Sequence, residues 1–381
     1  MLRFFTAGET HGKCLTVIVE GIPAGVKINI DKINDCLAKR QKGYGRGGRM
    51  LIEKDTAEIL SGVRGGISLG SPIAMMIKNK DWNNWSEIMG TECSNGERSV
   101  EFPRPGHADL TGGMKYNHRD LRNVLERASA RETAARVAVG ALVRQIIEPF
   151  GIELKSRVVS IGDVSDRADT SACGFYDRVN ASPVGFGDTD SEKEAMEYID
   201  RIKASGESCG GVVETVVLGA PAGLGSYVHY DRKLDANIAF SAMSIQAIKG
   251  VEIGMGFSAA NTPGSSVHDE IFYNDGYFRK SNNAGGIEGG MSNGEPIVVR
   301  AAMKPIPTLY KPLDTVDINS KEIIKASVER SDVCAVYACS VVLDACVNFE
   351  IAKAFCEKFG QDSLCDIKNS YEQYIKRIKE F

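Results

Sequence analysis

Two histidines lie in short segments whose neighbouring residues suit proton transfer. His11 stands between a threonine and a glycine in Thr6-Ala-Gly-Glu-Thr-His-Gly-Lys, where a predicted strand ends. His107 lies in a proline-framed turn, Pro103-Arg-Pro-Gly-His-Ala-Asp, close to Arg104 and Asp109. Histidine is the usual general acid or base near neutral pH, so both positions could carry catalysis. A turn histidine is more often structural, and neither segment alone identifies a reaction.

Basic residues are concentrated in two stretches of a nearly balanced chain, which has 46 Lys+Arg, 50 Asp+Glu and a net charge of -4. The first stretch, 39–49, has bases and no acid, and the second, 98–144, is also net positive. Most of these bases are arginines, whose guanidinium groups bind carboxylates and phosphates in paired hydrogen bonds. The pattern favours a site for a small anion over a nucleic-acid surface, which usually makes a whole domain basic. Two solvated basic faces are the alternative that charge alone leaves open.

Three further segments could hold an anionic ligand. In Glu126-Arg-Ala-Ser-Ala-Arg-Glu-Thr, Arg127 and Arg131 share one face of a predicted helix, beside small residues that would let a ligand approach. Surface ion pairs with the flanking glutamates explain the same spacing. The segment 285–294 is rich in glycine, so its backbone amides can approach a phosphate or a flat ring. Lys304-Pro-Ile-Pro-Thr adds a cation on a stiff loop.

Several classes of protein lack support in the sequence. It contains no Gly-Lys-Ser/Thr phosphate loop and no metal-ligand spacing, and its glycine loop at 43–48 lacks the strand that precedes a dinucleotide fingerprint. No apolar run is long enough to span a membrane, and the first residues do not resemble a signal peptide. The ten cysteines form no Cys-x-x-Cys pair and are expected to be reduced. We therefore expect a cytoplasmic protein with neither membrane nor nucleic-acid partners.

The predicted elements belong to an α+β fold. Strands and helices do not alternate regularly enough for a doubly wound parallel sheet, and no linker divides the chain, so residues 1–381 are expected to form a single domain. Long helices should be covered by antiparallel sheets. We expect strands in 2–30, 151–163 and 208–219 and again near Leu51, loops and strands in 258–308, and helices in 31–42, 120–147, 190–205, 238–248 and, interrupted near Arg330, 320–359.

Taken together, the segments resemble the chorismate synthase family. Eight motifs follow one another in the family's order and cover the chain from about residue 2 to 345, and such a series is far more specific than any one motif. They are Gly8-Glu-Thr-His-Gly, Arg40 with Arg46, Arg104-Pro-Gly-His-Ala-Asp, Glu126-Arg-Ala-Ser-Ala-Arg-Glu-Thr-Ala, Ile248-Lys-Gly-Val-Glu-Ile-Gly, the run from Asn283 to Gly294, Lys304-Pro-Ile-Pro-Thr and Arg330-Ser-Asp-Val-Cys-Ala-Val.

The resemblance implies a lyase that converts 5-enolpyruvylshikimate 3-phosphate into chorismate and phosphate, the last step of the shikimate pathway. The reaction is a 1,4-anti elimination that requires reduced FMN without net redox change. The family fold is a β-α-β sandwich assembled as a homotetramer. Some members reduce their flavin with NADPH, whereas others depend on a separate flavin reductase, and the sequence leaves both open.

The resemblance also implies roles for individual residues. His11 would protonate the departing phosphate, His107 would stabilise the reduced flavin near N1 and O2, and Asp332 would lie near N5. Five arginines would hold the substrate: Arg40, Arg46, Arg104, Arg131 and Arg330. Arg40 and Arg46 would also contact the nicotinamide cofactor, and the flavin would contact Arg127, Ala128, Ser129, Gln246, Ala247, Gly289, Lys304, Pro305, Ile306, Pro307, Thr308 and Arg330. The chain departs from the family pattern at Thr10, where serine is common, and at Tyr337, where proline is usual.

Two other functions remain open besides a lyase of this family. An ordinary FMN-dependent oxidoreductase acting on an anionic small molecule would use similar residues but consume reductant in proportion to product. An RNA- or polyanion-binding protein built on the glycine and arginine loop is the alternative that is not an enzyme. It lacks a stacking aromatic motif.

Overall fold

Two antiparallel sheets enclose a layer of long helices in the computed structural model, which describes residues 1–47, 54–92, 94–328 and 331–381. The strands are β1 (Arg3–Ala7), β2 (Cys14–Glu20), β3 (Ala57–Ile59), β4 (Val63–Arg64), β5 (Ile67–Ser68), β6 (Ile73–Lys78), β7 (Glu153–Ile161), β8 (Val164–Ser165), β9 (Gly211–Leu218), β10 (Ile248–Ile253), β11 (Ile271–Tyr273), β12 (Tyr277–Arg279), β13 (Ile287–Glu288), β14 (Met291–Ser292), β15 (Ile297–Met303), β16 (Asp314–Val316) and β17 (Ile323–Lys325). The helices are α1 (Ile30–Gln41), α2 (Asp109–Tyr116), α3 (Arg122–Ala128), α4 (Thr133–Ile147), α5 (Phe175–Ala181), α6 (Thr189–Ala204), α7 (Leu234–Met243), α8 (Gly264–Val267), α9 (Val336–Phe359) and α10 (Leu364–Lys379).

The two sheets have the strand orders β1-β2-β6-β3 and β10-β15-β9-β7-β8. Neighbouring strands in both are antiparallel. In β2, Leu15, Val17 and Val19 alternate with more exposed residues and are buried, as expected of a sheet with one face on a core. Most of the buried apolar residues of both sheets and of the long helices belong to one cluster.

The helical layer is centred on the pair α4 and α9. Helix α4 packs against β1 and β2 of the first sheet, whereas α9 packs against β7, β9 and β15 of the second. The two helices contact each other closely at Gly140, whose carbonyl accepts a 2.6 Å hydrogen bond from Asn348 Nδ2. The α+β class and the β-α-β sandwich are therefore confirmed.

The predicted helix over 120–147 is interrupted at Ser129. Helix α3 ends at Ala128, Ser129 is extended with φ -65° and ψ 148°, and a 3₁₀ turn over Ala130–Glu132 precedes α4. The Ser129 hydroxyl accepts a hydrogen bond from the Arg131 backbone N–H at 3.3 Å, a local bond through which serine competes with the helical ladder. The interruption turns small residues of this segment toward a cavity.

Two other helix predictions were wrong in extent. The prediction over 238–248 is displaced, since α7 ends at Met243 and Ile248 begins β10. The prediction from 320 is wrong for its first part, because β17 pairs with β16 in a hairpin and α9 begins only at Val336. The β-branched Ile323 and Ile324 suit a strand. The strand expected near Leu51 lies outside the described residues.

The described residues show no disulfide, and nine cysteines are free thiols. None of the helices in the described ranges is long and apolar enough to cross a membrane.

Candidate active site

A cavity of about 430 Å³ lies where the interrupted helix, α9 and several loops meet. Residues far apart in sequence line it, and they come from most of the segments selected in the sequence. The predicted site residues among them are His11, Arg40, Arg46, Arg104, His107, Ala128, Ser129, Gln246, Ala247, Lys304, Ile306, Pro307, Thr308 and Asp332. Leu125, Ile245, Ala338 and Val342 give it an apolar wall. Arginines, histidines and an apolar wall suit an anion next to a flat ring.

His11 is held in the turn between β1 and β2 by Glu126 of α3. Its backbone N–H donates to Glu126 Oε2 at 2.8 Å, and its Nδ1 lies 2.9 Å from Oε1. Burial alone would raise the pKa of Glu126, but hydrogen bonds from His11 and Arg122 outweigh it and lower that pKa. The ionised carboxylate can only accept, so Nδ1 carries the hydrogen. The Nε2 atom is then the nitrogen that can exchange a proton with a ligand.

The sequence analysis missed two residues that contact His11. Glu126 was considered only as an ion-pair partner of surface arginines, although it is fully buried beneath His11. Trp85 was not considered, and its ring stacks on the imidazole with a centroid distance of 3.8 Å and an interplanar angle of 16°. Neither stands near His11 in sequence, so no local motif could have paired them.

His107 and Arg104 share one carboxylate, that of Asp109. His107 Nδ1 lies 2.5 Å from Asp109 Oδ1, and Arg104 Nε donates to Oδ2 at 2.9 Å. Burial acts to raise the pKa of Asp109, but the hydrogen bonds and charges of His107 and Arg104 hold it well below its usual range. Asp109 is therefore an acceptor that orients the His107 imidazole and the Arg104 guanidinium at the cavity.

Arg40 and Arg46 form a second cationic group in the cavity. Arg40 is buried and donates to Thr133 Oγ1 and to the Ala130 carbonyl, both at 2.9 Å. Burial lowers the pKa of Arg40 to about 9, although Asp55 opposes this effect. Among the described residues, its Nη1 has no hydrogen-bond partner, and Asp55 Oδ2 lies 3.7 Å away. A ligand anion could supply the missing acceptor.

Asp332 is fixed beside these arginines. Its Oδ2 lies 3.1 Å from Arg46 Nε, and its Oδ1 accepts a 2.6 Å hydrogen bond from the Gly47 backbone N–H. Both contacts tie the glycine loop to the segment that leads into α9. The structure thus brings Asp332 to the wall of the cavity, and its place near the flavin N5 stays a prediction.

Two predicted arginines do not line the cavity in the part of the chain that the structure describes. Arg131 is buried behind it, where Nη1 binds Asp55 Oδ2 at 2.6 Å and Nε and Nη2 bind Asn79 Oδ1 at 3.0 and 2.8 Å. Arg127 donates to the carbonyls of Thr6 and Gly8 in and next to β1. Their proposed ligand contacts stay predictions.

Three other positions predicted to contact the flavin or the substrate are not found among the described residues that line the cavity. Within the described ranges, Gly289 and Pro305 are also absent from the lining, and Arg330 lies outside the described residues. Gly289 occupies the turn between β13 and β14 with φ +58°. None of the described residues forms a cluster of three or more side chains suited to hold a metal ion.

A flavin would fit the wall formed by Gln246, Ala247 and Lys304. The Gln246 Oε1 atom is buried without a hydrogen-bond partner among the described residues, and a ring N–H could satisfy it. Ala247 has a positive φ of +70°, and its carbonyl accepts from the Lys304 N–H. Burial, then the charge of Lys249, lowers the pKa of Lys304. This polar edge beside an apolar wall suits a flat heterocycle.

The fold and the cavity are those of an enzyme that acts on a small molecule. The family model described as chorismate synthase matches residues 2–356. Relatives named chorismate synthase are 54% identical in Geobacter metallireducens and Brevibacillus brevis and 55% identical in a Sulfurihydrogenibium species, each over all of both chains. The chain belongs to the chorismate synthase family, and it is a lyase.

A solved structure agrees with this assignment. A crystal structure of chorismate synthase is 46% identical, covers 100% of this chain and 99% of its own, and superposes with a TM-score of 0.82. The resemblance and the fold expected from the sequence are therefore confirmed. The family also implies a flavin cofactor.

Proposed function

We propose that this cavity converts 5-enolpyruvylshikimate 3-phosphate into chorismate and phosphate by 1,4-anti elimination, as the last step of the shikimate pathway. The observation that carries the proposal is the placement of two carboxylate-bound histidines, His11 and His107, in one cavity lined by arginines. The substrate has two carboxylates and a phosphate, and its reaction needs a proton for the leaving phosphate.

The arginines would hold the substrate anions. Arg40, Arg46 and Arg104 line the cavity, and the Arg40 Nη1 atom is available to an acceptor. Guanidinium groups bind carboxylates and phosphates in bidentate pairs, and their strength grows where water is excluded. Arg131 and Arg330 are proposed for the same task from the family resemblance alone.

His11 would donate the proton to the departing phosphate. Because Glu126 binds its Nδ1, the Nε2 atom is the donor that a phosphate oxygen would meet. Thr10 keeps the hydroxyl of the common serine, and this hydroxyl donates to the Glu126 carbonyl at 2.8 Å. Thr10 therefore keeps the turn beside His11 bonded to α3 despite its additional methyl group.

Reduced FMN, when bound, supplies electron density to the substrate and a nitrogen, N5, that takes up the departing hydrogen. Its proposed contacts are those implied by the resemblance: Arg127, Ala128, Ser129, Gln246, Ala247, Gly289, Lys304, Pro305, Ile306, Pro307, Thr308 and Arg330. His107, oriented by Asp109, would place a cationic group against the reduced ring. Asp332 would lie near N5 and help to manage its proton.

We further propose the assembly and setting that the family implies. Residues 1–381 would form one domain and assemble as a homotetramer, and the cytoplasmic location stays a prediction. NADPH contacts with Arg40 and Arg46 would allow the chain to reduce its own flavin. A separate flavin reductase is the other source.

An anaerobic assay tests the reaction. Purified protein, chemically reduced FMN and 5-enolpyruvylshikimate 3-phosphate are mixed, and chorismate absorbance and phosphate release are followed together. We expect equal release of both, with many turnovers per flavin. Consumption of one reductant per product would favour the oxidoreductase alternative, and the absence of product from a folded protein that binds FMN would reject the proposal.

A second assay identifies the reductant. The same reaction is run in air with oxidised FMN and NADPH. Product formation would show that the chain reduces its own flavin, and its absence would show that reduced FMN must come from elsewhere.

A further inference from the structure

Trp85 belongs to the segment after β6 and contacts the proposed acid from outside the cavity. Its ring lies parallel to the His11 imidazole at a centroid distance of 3.8 Å. In the described part of the chain, Trp85 is absent from the residues that line the cavity. It therefore touches His11 without reaching the space proposed for the substrate.

The indole is itself fixed by several contacts. Its Nε1–H donates to Asp81 Oδ2 at 2.9 Å, and its backbone N–H donates to the Trp82 carbonyl at 2.9 Å. The guanidinium carbons of Arg98 and Arg122 lie 4.4 and 5.2 Å from the ring centroid. Cations near an indole ring are attracted by its quadrupole, so both arginines help to hold the ring in place.

Arg122 links the indole to the carboxylate beneath His11. Its Nη1 donates to Glu126 Oε1 at 2.9 Å, while its guanidinium lies near Trp85. Its Nε donates to the carbonyl of Arg98, the other cation near the ring. The contacts therefore form a closed ring. The His11 imidazole contacts Trp85 and Glu126, and Arg122 contacts both of these residues.

Two restraints from the described residues act on the imidazole. The Glu126 carboxylate, whose oxygens lie 2.9 and 3.0 Å from Nδ1, fixes the direction of that nitrogen. The indole of Trp85, parallel to the imidazole at a centroid distance of 3.8 Å, restricts tilting of the ring plane. Together they restrict where Nε2 points.

We propose that Trp85 is a positioning residue, whose indole plane fixes the plane of His11 so that Nε2 faces the substrate. The proposal rests on the proposed function, in which His11 is the proton donor. An effect on turnover follows because proton transfer depends on a short, aligned contact.

Steady-state kinetics of three variants test the proposal. Trp85→Leu removes the flat ring, Trp85→Phe keeps an aromatic plane, and Trp82→Phe is the control at the neighbouring tryptophan. We expect Trp85→Leu to lower kcat at least tenfold with KM changed less than threefold, Trp85→Phe to recover most of that loss, and Trp82→Phe to match the parent. Equal kcat values for Trp85→Leu and the parent would overturn the proposal, as would a loss confined to KM.

A double-mutant comparison separates positioning from general destabilisation. If Trp85 acts through His11, Trp85→Leu has little further effect on kcat once His11→Ala has been made. A tenfold loss that persists in the His11→Ala background would show that Trp85 acts elsewhere and would overturn the assignment.

A fluorescence measurement tests the stack without catalysis. The chain has two tryptophans, so Trp82→Phe leaves Trp85 as the only one. In that background we expect His11→Ala to change the Trp85 emission and increase its quenching by acrylamide, because the covering imidazole is gone. Unchanged emission and quenching would overturn the contact. A clear change on His11→Ala, when the Trp82→Phe protein that keeps His11 forms no chorismate, would instead reject the proposed reaction and leave the stack standing.

Discussion

Glu126 binds His11 at two points, the backbone N–H and the ring Nδ1, at 2.8 and 2.9 Å. Glu126 lies near the end of α3, and the chain turns at Ser129 three residues later. The helix that supplies the carboxylate therefore ends at the cavity to which Ser129 itself contributes. One local interruption sets the position of the proposed acid relative to the ligand site.

Replacing Glu126 by glutamine should reduce turnover strongly. The amide keeps the shape, but it can present an NH₂ group to Nδ1 and so favour the tautomer with hydrogen on the wrong nitrogen. We expect kcat to fall roughly 100-fold, the scale of a lost general acid, with little change in KM. Anaerobic steady-state assays measure both.

Glu194→Gln provides the control, since Glu194 is exposed and pairs with Arg167 far from the cavity lining. It should leave kcat unchanged. A Glu126→Gln enzyme with a kcat within twofold of the parent would show that the carboxylate does not orient His11 for catalysis.

The unfolding free energy should depend on pH through Asp109. Its folded pKa is held below the unfolded value of about 3.9. Above about pH 5 the stabilisation from this carboxylate is complete, and it is lost as the pH falls through about 4 and below, because the unfolded chain takes up the proton first. The lowered pKa of Glu126 acts in the same direction.

The Asp109→Asn variant should therefore lose stability less steeply than the parent as the pH falls from about 5 to about 3. Thermal unfolding followed by circular dichroism gives the slopes. Asp190→Asn, at the exposed start of α6, is the matched control and should follow the parent. Identical slopes for Asp109→Asn and the parent would contradict the assigned contacts.

Local sequence signals predicted several elements well and failed where tertiary contacts decide. Helix α1 was predicted closely, as 31–42, although its cap is Asn29, whose side chain accepts a hydrogen bond from the Asp31 N–H, and not Asp31 itself. Strand β17 was predicted as helix, because a short apolar segment such as Ile323 and Ile324 carries no clear period. Helix α10 was missed, although Ser363 caps it with a hydrogen bond to the Asp366 N–H.

The site shows the same division. His11, His107 and Asp332 were found because each stands in a recognisable motif. Glu126 and Trp85 contact His11 across 115 and 74 positions of sequence, and only the fold brings such residues together. Arg131 was expected at the ligand, whereas the structure shows its donors on Asp55 and Asn79.

Gly140→Ala should destabilise the contact between α4 and α9. A Cβ atom there would lie 2.5 Å from Ala345 Cα, so the helices would have to separate. Overpacking of this kind costs about 1–3 kcal/mol, which exceeds the gain of about 1 kcal/mol in helix propensity. Urea unfolding measures the loss. Gly264→Ala is the control, since its nearest neighbour is 3.8 Å away, and equal stability of the two variants would refute the close approach.

Arg131→Ala should destabilise the fold and disturb the turn that carries His11. Removing it leaves the buried Asp55 carboxylate with only Arg40, 3.7 Å away, among the described cations that pair with it. Losing one partner of a buried ion pair costs about 3–5 kcal/mol. Asn79, which Arg131 binds, donates to the carbonyls of Glu9 and Gly12 on either side of His11. We therefore expect lower unfolding free energy and lower kcat.

Substrate affinity decides whether Arg131 also holds the anion. Isothermal titration calorimetry compares Arg131→Ala with the double variant Asp55→Ala, Arg131→Ala, which removes both charges of this ion pair and should recover part of the stability, since buried Arg40 also loses its contact with Asp55. A direct contact predicts that substrate binding stays weaker by about 1.5–3 kcal/mol in both variants. Recovery of affinity together with stability would instead assign Arg131 to the support of Asn79 and the His11 turn, because only the unpaired carboxylate would then have disturbed the site.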